Sequence, residues 1–120
     1  MSSMYSEDDQ RMIRLQEGDS KAFDELAGLW QGPLFGFFIR NTRDEHLSED
    51  LVQETLLAVH NQRHTYDAGQ PLTAWLHAIA RYKLIDLLRR RAGRDALNDP
   101  LDDELEVFAA SDIEADDARR

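Results

Sequence analysis

Three observations on this 120-residue chain predict an all-α fold, a compact bundle of about four helices followed by an acidic, mostly disordered tail. Apolar residues recur at three- and four-residue steps in successive segments, the spacing of a single helix face. Capping residues and glycine or proline punctuation set those segments apart. Beyond residue 94 the chain turns acidic and, alanines aside, its apolar residues are only Leu97, Leu101, Leu105, Val107, Phe108 and Ile113. That is too little for a second core.

The elements follow in order. Ser6 before Glu7, Asp8 and Asp9 predicts a helix start, a capping hydroxyl followed by acids at the positive end of the helix dipole. Met12 and Leu15 give it a thin apolar stripe, and Gly18 stops it. Gly18-Asp19-Ser20-Lys21 is not a phosphate loop, because the second glycine and the Lys-Ser/Thr end are missing. Asp19 or Ser20 opens a second helix in which Phe23, Leu26, Trp30, Leu34 and Phe37 mark one continuous buried face. Such an aromatic stripe could line a ligand pocket, but helical spacing of this kind is read as core. Gly32-Pro33 interrupts it. A proline inside a helix costs about 3 kcal/mol, so a kink is expected there, or a break with Pro33 restarting the helix.

Asn41–Leu47 reads as a polar connection, and Ser48 is expected to cap the third helix with Glu49 and Asp50 in its first turn. Leu51, Val52, Thr55, Leu56 and Val59 then face inward, leaving Asp50, Gln53, Glu54 and Leu57 on the complementary arc. On charge alone that arc is a solvated acidic face. Asn61–Gln70 is a loop with a turn signal at Asp67-Ala68-Gly69, and Pro71 suits the first position of a fourth helix. Tyr66 in this loop is either a ring free to stack on an unpaired base, worth about 1–3 kcal/mol, or one folded back onto the bundle. Leu72, Trp75, Leu76, Ile79, Ala80, Leu84, Leu87 and Leu88 supply the apolar side of the fourth helix, with Trp75 in the core. Asp86, three residues after Lys83 and four before Arg90, is placed for intrahelical ion pairs.

Composition narrows the function classes. With no cysteine, a disulfide scaffold and a thiolate metal site are excluded. No apolar run approaches the roughly 20 residues of a membrane span, and the first ten residues lack the basic and apolar blocks of a signal peptide. A cytoplasmic chain without membrane insertion is therefore expected. His60 and His64 have no third ligand suggested nearby, so no metal is expected. No nucleophile motif, phosphate loop or dinucleotide fingerprint is present, so neither an enzyme nor a cofactor is expected.

The net charge of −10 argues against nucleic acid until its distribution is considered. Residues 1–80 carry 6 basic and 13 acidic side chains, and residues 95–120 carry 2 and 10. Between them Arg81, Lys83, Arg89, Arg90, Arg91 and Arg94 face only one acid, Asp86. His77 and Arg81 share a stripe that Arg89 approaches, and Lys83 and Arg90 share another. This is more positive charge than complementing the helix dipole needs, which points to phosphate contact.

The stretch Asp50–His60, DLVQETLLAVH, followed by a short loop and by Pro71–Arg94, PLTAWLHAIARYKLIDLLRRRAGR, resembles region 2 of bacterial sigma factors of the extracytoplasmic-function (ECF) group. The resemblance covers roughly residues 8–94 and is carried by DLVQE and AWLxxIAR…IDxLRRR, in order and at the family's spacing. It implies a region 2 domain over residues 1–94, an acidic linker or tail over 95–120, and a second, −35-reading domain that is absent from this chain. It implies that Asp50, Gln53 and Glu54, with Leu57 on the same arc, contact the β′ clamp helices of core RNA polymerase. It further implies promoter DNA as a partner at the −10 element, single-stranded on opening, through Tyr66, Gln70, His77, Arg81, Tyr82, Lys83, Arg89, Arg90, Arg91 and Arg94. An anti-sigma factor is a further implied partner. Tyr82 departs from the pattern, since the family often has Asn after Ile-Ala-Arg. A phenol stacks or donates once where an amide reads a base edge in two directions. The rival function is a sigma mimic, an interaction module that occupies an anti-sigma factor without engaging DNA. An intact basic helix end favours the sigma reading.

Overall fold

The computed structural model describes residues 5–92, and all of its regular structure is helical. Four α-helices follow one another: α1 (Glu7–Gln16), α2 (Ser20–Thr42), α3 (Glu45–Asn61) and α4 (Leu72–Ala92), with a short 3-10 turn at Arg63–Thr65. The main contacts run between chain neighbours, α1 on α2, α2 on α3 and α3 on α4, while the 3-10 turn packs on both α1 and α3. The tail expected over 95–120 lies outside the described residues, as does Arg94.

The helix starts follow from side-chain chemistry. Ser6 caps α1 by accepting from the Asp9 N–H at 3.1 Å, and Asp9 returns the bond to the Ser6 N–H at 3.2 Å, a reciprocal capping box. Asp19 caps α2 by accepting from the Lys21 N–H at 2.9 Å. The start of α3 corrects the sequence expectation. Asp44, not Ser48, is the cap, accepting from the Leu47 N–H at 3.0 Å. The connection shrinks from the expected Asn41–Leu47 to Arg43 and Asp44. Ser48 is one turn inside the helix, fully buried, with its hydroxyl 2.9 Å from that of Thr42. Both residues are good caps by type, and the earlier one wins because it lets another helical turn form.

Pro33 does not break α2, which runs through Gly32-Pro33 as one helix of 23 residues. The proline deprives the Leu29 carbonyl of its usual N–H partner. Trp30, Leu34, Phe37 and Phe38 on the two sides of it are all buried. Each contributes about 1.5–3 kcal/mol on burial, more in sum than the roughly 3 kcal/mol the proline costs. Gly32 helps, because without a Cβ it escapes the clash that proline imposes on the residue before it.

The core joins the stripe of α2 to Leu51, Val52, Leu56 and Val59 of α3 and to Leu72, Leu76, Ile79, Ala80 and Leu84 of α4. Met12 and Leu15 of α1 close one side. Phe23, Trp75, Leu87 and Leu88 are partly buried against this cluster rather than inside it. Among the described residues, the buried polar atoms without a hydrogen-bond partner include the Trp30 indole N–H and the Thr55 hydroxyl. Charged residues fasten α1 to α2: Arg14 meets Glu25 at 2.9 Å and Arg11 meets the same carboxylate at 3.2 Å. No described helix is long and apolar enough to cross a membrane.

Candidate protein and nucleic-acid interface

Helix α3 divides cleanly. Leu51, Val52, Thr55, Leu56 and Val59 are buried, while Asp50, Gln53, Glu54 and Leu57 are exposed along the opposite arc. Leu57 is 60 % exposed, an apolar side chain left in water beside three polar ones. His60, at the end of α3, sets its ring edge-on to Phe23 at 5.5 Å, and His64 is exposed in the 3-10 turn.

The loop to α4 decides between the two placements that the sequence leaves open for Tyr66. Tyr66 is 2 % exposed, so its ring does not offer a stacking face to a base; it is folded back onto the bundle. The ring packs edge-on to Trp75 at 5.4 Å, and the hydroxyl bonds to the Asp9 carboxylate. Burial together with that carboxylate pushes the phenol above its ordinary value of 10.0. Burial alone would raise the Asp9 carboxyl, but hydrogen bonds from Tyr66, the Gly69 N–H and Ser6 outweigh it and hold the group below its ordinary 3.8. Gly69 takes φ +97°, a conformation open to glycine at little cost, and this aims its N–H at Asp9 from 3.3 Å. Gln70 is exposed at the tip, with its carbonyl 2.8 Å from the Tyr66 hydroxyl.

Helix α4 presents the basic residues. Tyr82 is 67 % exposed. Arg89, Arg90 and Arg91 are exposed, and Arg81 and Lys83 are half-buried. Arg90 pairs with Asp86 at 3.1 Å. Tyr82 sits between two surface hollows. One, of about 270 Å³, is lined by Tyr82, Ile85, Asp86 and Arg89. The other, of about 410 Å³, is lined by Gln62, Thr65, Trp75, Ala78, Ile79, Tyr82 and Lys83. His77 does not join them as a phosphate-facing cation. Its ring stands edge-on to Phe37 at 5.6 Å, and burial, with the nearby Arg81 charge, lowers its pKa from 6.5.

The structure therefore brings Tyr82, Lys83 and Arg89 together on one surface, with Arg90 and Arg91 beyond them, and sends Tyr66 and His77 inward. Sequence reading missed Trp75 as part of the exposed hollow. Its indole N–H donates to the Thr65 hydroxyl at 3.0 Å, which fixes the ring at the hollow's wall. It missed Asp9 and Gln16 as well. Gln16 donates to the Arg63 and Tyr66 carbonyls, each at 2.8 Å. Neither contact carries a local sequence signal, because the partners lie about fifty residues downstream.

Comparison with known proteins gives the same outline. A family profile described as Sigma-70 region 2 matches residues 26–94. The chain is similar to the ECF RNA polymerase sigma factor SigF of Caulobacter vibrioides (strain NA1000 / CB15N), 48 % identical over 99 residues, which cover 82 % of this chain and 54 % of that protein. It is similar to CarQ, an RNA polymerase sigma factor of Myxococcus xanthus, at 33 % identity over 109 residues, covering 91 % of this chain and 63 % of that one. It is also similar to the ECF RNA polymerase sigma factor SigM of Bacillus subtilis (strain 168), at 32 % identity over 78 residues, covering 65 % and 47 %. The chain thus spans about half to three fifths of the length of these relatives.

Proposed function

The chain belongs to the sigma-70 region 2 family, as a member of its ECF type, and on that premise we propose that it acts as a transcription-initiation specificity factor. Residues 1–94 form the working domain in this reading. The arc Asp50, Gln53, Glu54 and Leu57 docks on the β′ clamp helices of core RNA polymerase. The face of α4 around Tyr82 and Lys83, with Arg81 beside it, takes the −10 element as its strands part. Arg89, Arg90 and Arg91 hold phosphates at the upstream edge. The role is one of binding, without a catalysed step.

One observation carries the proposal: the last turn of α4 is basic and solvent-exposed, and it adjoins an exposed tyrosine. Phosphate contacts position a protein on nucleic acid, and an aromatic face supplies stacking to an unpaired base. A mimic that only occupied an anti-sigma factor would have no use for either. An anti-sigma factor remains a partner that such a domain would answer to, covering the same polymerase-facing arc. The test is a pull-down of the purified chain with RNA polymerase core, with and without a promoter fragment carrying a pre-opened bubble. Retention on core, strengthened by the bubble, is the expected result. Retention by an anti-sigma factor with no binding to core or bubble would put the mimic in its place.

A further inference from the structure

Helix α1 lies outside the residues 26–94 matched by the family profile, yet it holds the loop between α3 and α4 at four points. Asp9 and Gln16 are seven residues apart, two turns along the same side of the helix. Gln16 uses both hydrogens of its amide, one on the Arg63 carbonyl and one on the Tyr66 carbonyl. Asp9, only 7 % exposed, divides its oxygens. Oδ2 accepts from the Ser6 N–H, while Oδ1 accepts from the Tyr66 hydroxyl and the Gly69 N–H. The Tyr66 hydroxyl has one proton and two acceptors in reach, Asp9 Oδ1 and the Gln70 carbonyl oxygen. The charged acceptor makes the stronger bond, so the proton goes to Asp9.

The same loop supplies Gln62 and Thr65 to the wall of the hollow beside Trp75, Tyr82 and Lys83. A site discriminates only when its groups are held within about 0.5 Å of the productive geometry by supporting hydrogen bonds. We propose that Asp9 and Gln16 are positioning residues for promoter discrimination, acting through the loop rather than touching DNA. This rests on the initiation reading above. A carboxylate near nucleic acid repels phosphate, so a direct DNA contact by Asp9 is disfavoured; its saturation by the loop gives it an indirect role instead.

The experiment uses the 120-residue chain assembled with RNA polymerase core on promoter fragments that differ by single −10 bases. Asp9→Asn and Gln16→Met are compared with wild type for open-complex formation, core affinity, thermal unfolding and amide exchange at Gly69 and Gln70. A mismatched base ordinarily weakens binding about 5- to 150-fold, and each variant is expected to reduce the preferred-to-mismatched ratio by at least about fivefold. Core affinity should stay within about twofold, as for substitutions away from a binding surface, while the two loop amides exchange faster. If the ratio persists, the positioning role is overturned, whether or not the loop amides have been freed. Should both variants unfold, Tyr66→Phe carries the test, because it keeps the buried ring and deletes only the hydroxyl. A wild-type chain with no −10 discrimination on core would overturn the initiation reading and the positioning role together. Discrimination kept in wild type and variants alike overturns positioning alone.

Discussion

Leu57 offers the sharpest test of the arc proposed to face polymerase. It is the one large apolar side chain on that arc, and 60 % of it is already in water. Covering a whole leucine contributes about 1.5–3 kcal/mol, so covering the exposed share contributes about 1–2 kcal/mol. At 1.4 kcal/mol per tenfold, Leu57→Ala should weaken binding to core polymerase about 5- to 30-fold. The isolated domain should hardly notice. The side chain packs little in the free state, and alanine is the better helix former, so the stability change should stay within about 0.5 kcal/mol. Fluorescence titration of a labelled chain with core enzyme reads the first quantity, and thermal unfolding by circular dichroism reads the second. Unchanged core affinity in a folded Leu57→Ala chain would refute the placement of the interface on this arc. Lost affinity accompanied by a large stability loss would refute the premise that Leu57 is not part of the core.

Further outcomes are expected elsewhere in the molecule. Glu54→Lys should weaken core binding by about 1.5–3 kcal/mol, the worth of a charged contact, with helicity unchanged by circular dichroism. Replacing Arg89 and Arg90 by alanine should reduce the slope of log affinity against log salt by about 0.9 per lost phosphate contact, with the −10 preference kept; the Arg90–Asp86 pair is exposed and opposes this little. Thr55→Val should raise the unfolding free energy by about 1 kcal/mol in denaturant titration, because a buried hydroxyl without a partner gives way to a methyl of similar shape. His77 has a folded value below 6.5, so the neutral ring's stabilisation is full above about pH 6.5 and is lost as pH falls through the folded value. His77→Gln should flatten that part of a thermal-midpoint profile taken from pH 8 to pH 5.

Much of the bundle is legible in the sequence because its signals are local. The steps from Leu26 through Trp30 and Leu34 to Phe37 identify the buried face of α2, and all four are buried. The same stepping identifies which side of α3 is free. Its geometry is legible, whereas the partner proposed for it rests on family resemblance alone. Boundaries were harder. Asp44 and Ser48 are equivalent caps by residue type, and only packing of the extra turn decides between them. Pro33 shows local cost overruled by burial on both sides. Tyr66 shows the limit most clearly. Whether its ring points to solvent or to the core is settled by Asp9, 57 residues away, and no spacing rule reaches that far.

That separation has a kinetic consequence. The helix pairs α1–α2, α2–α3 and α3–α4 are neighbours in the chain, so they can dock with little loop to close. The bonds from Gln16 to Arg63 and from Asp9 to Gly69 instead close loops of 47 and 60 residues. Loop-closure entropy grows as about (3/2)RT ln n, which places these contacts late in folding, after the hairpins of helices exist. In the transition state they should be largely unformed. Substitutions at Asp9 or Gln16 should therefore accelerate unfolding and leave the folding rate nearly unchanged, whereas truncations at Leu51 or Phe37, within the α2–α3 hairpin, should slow folding itself.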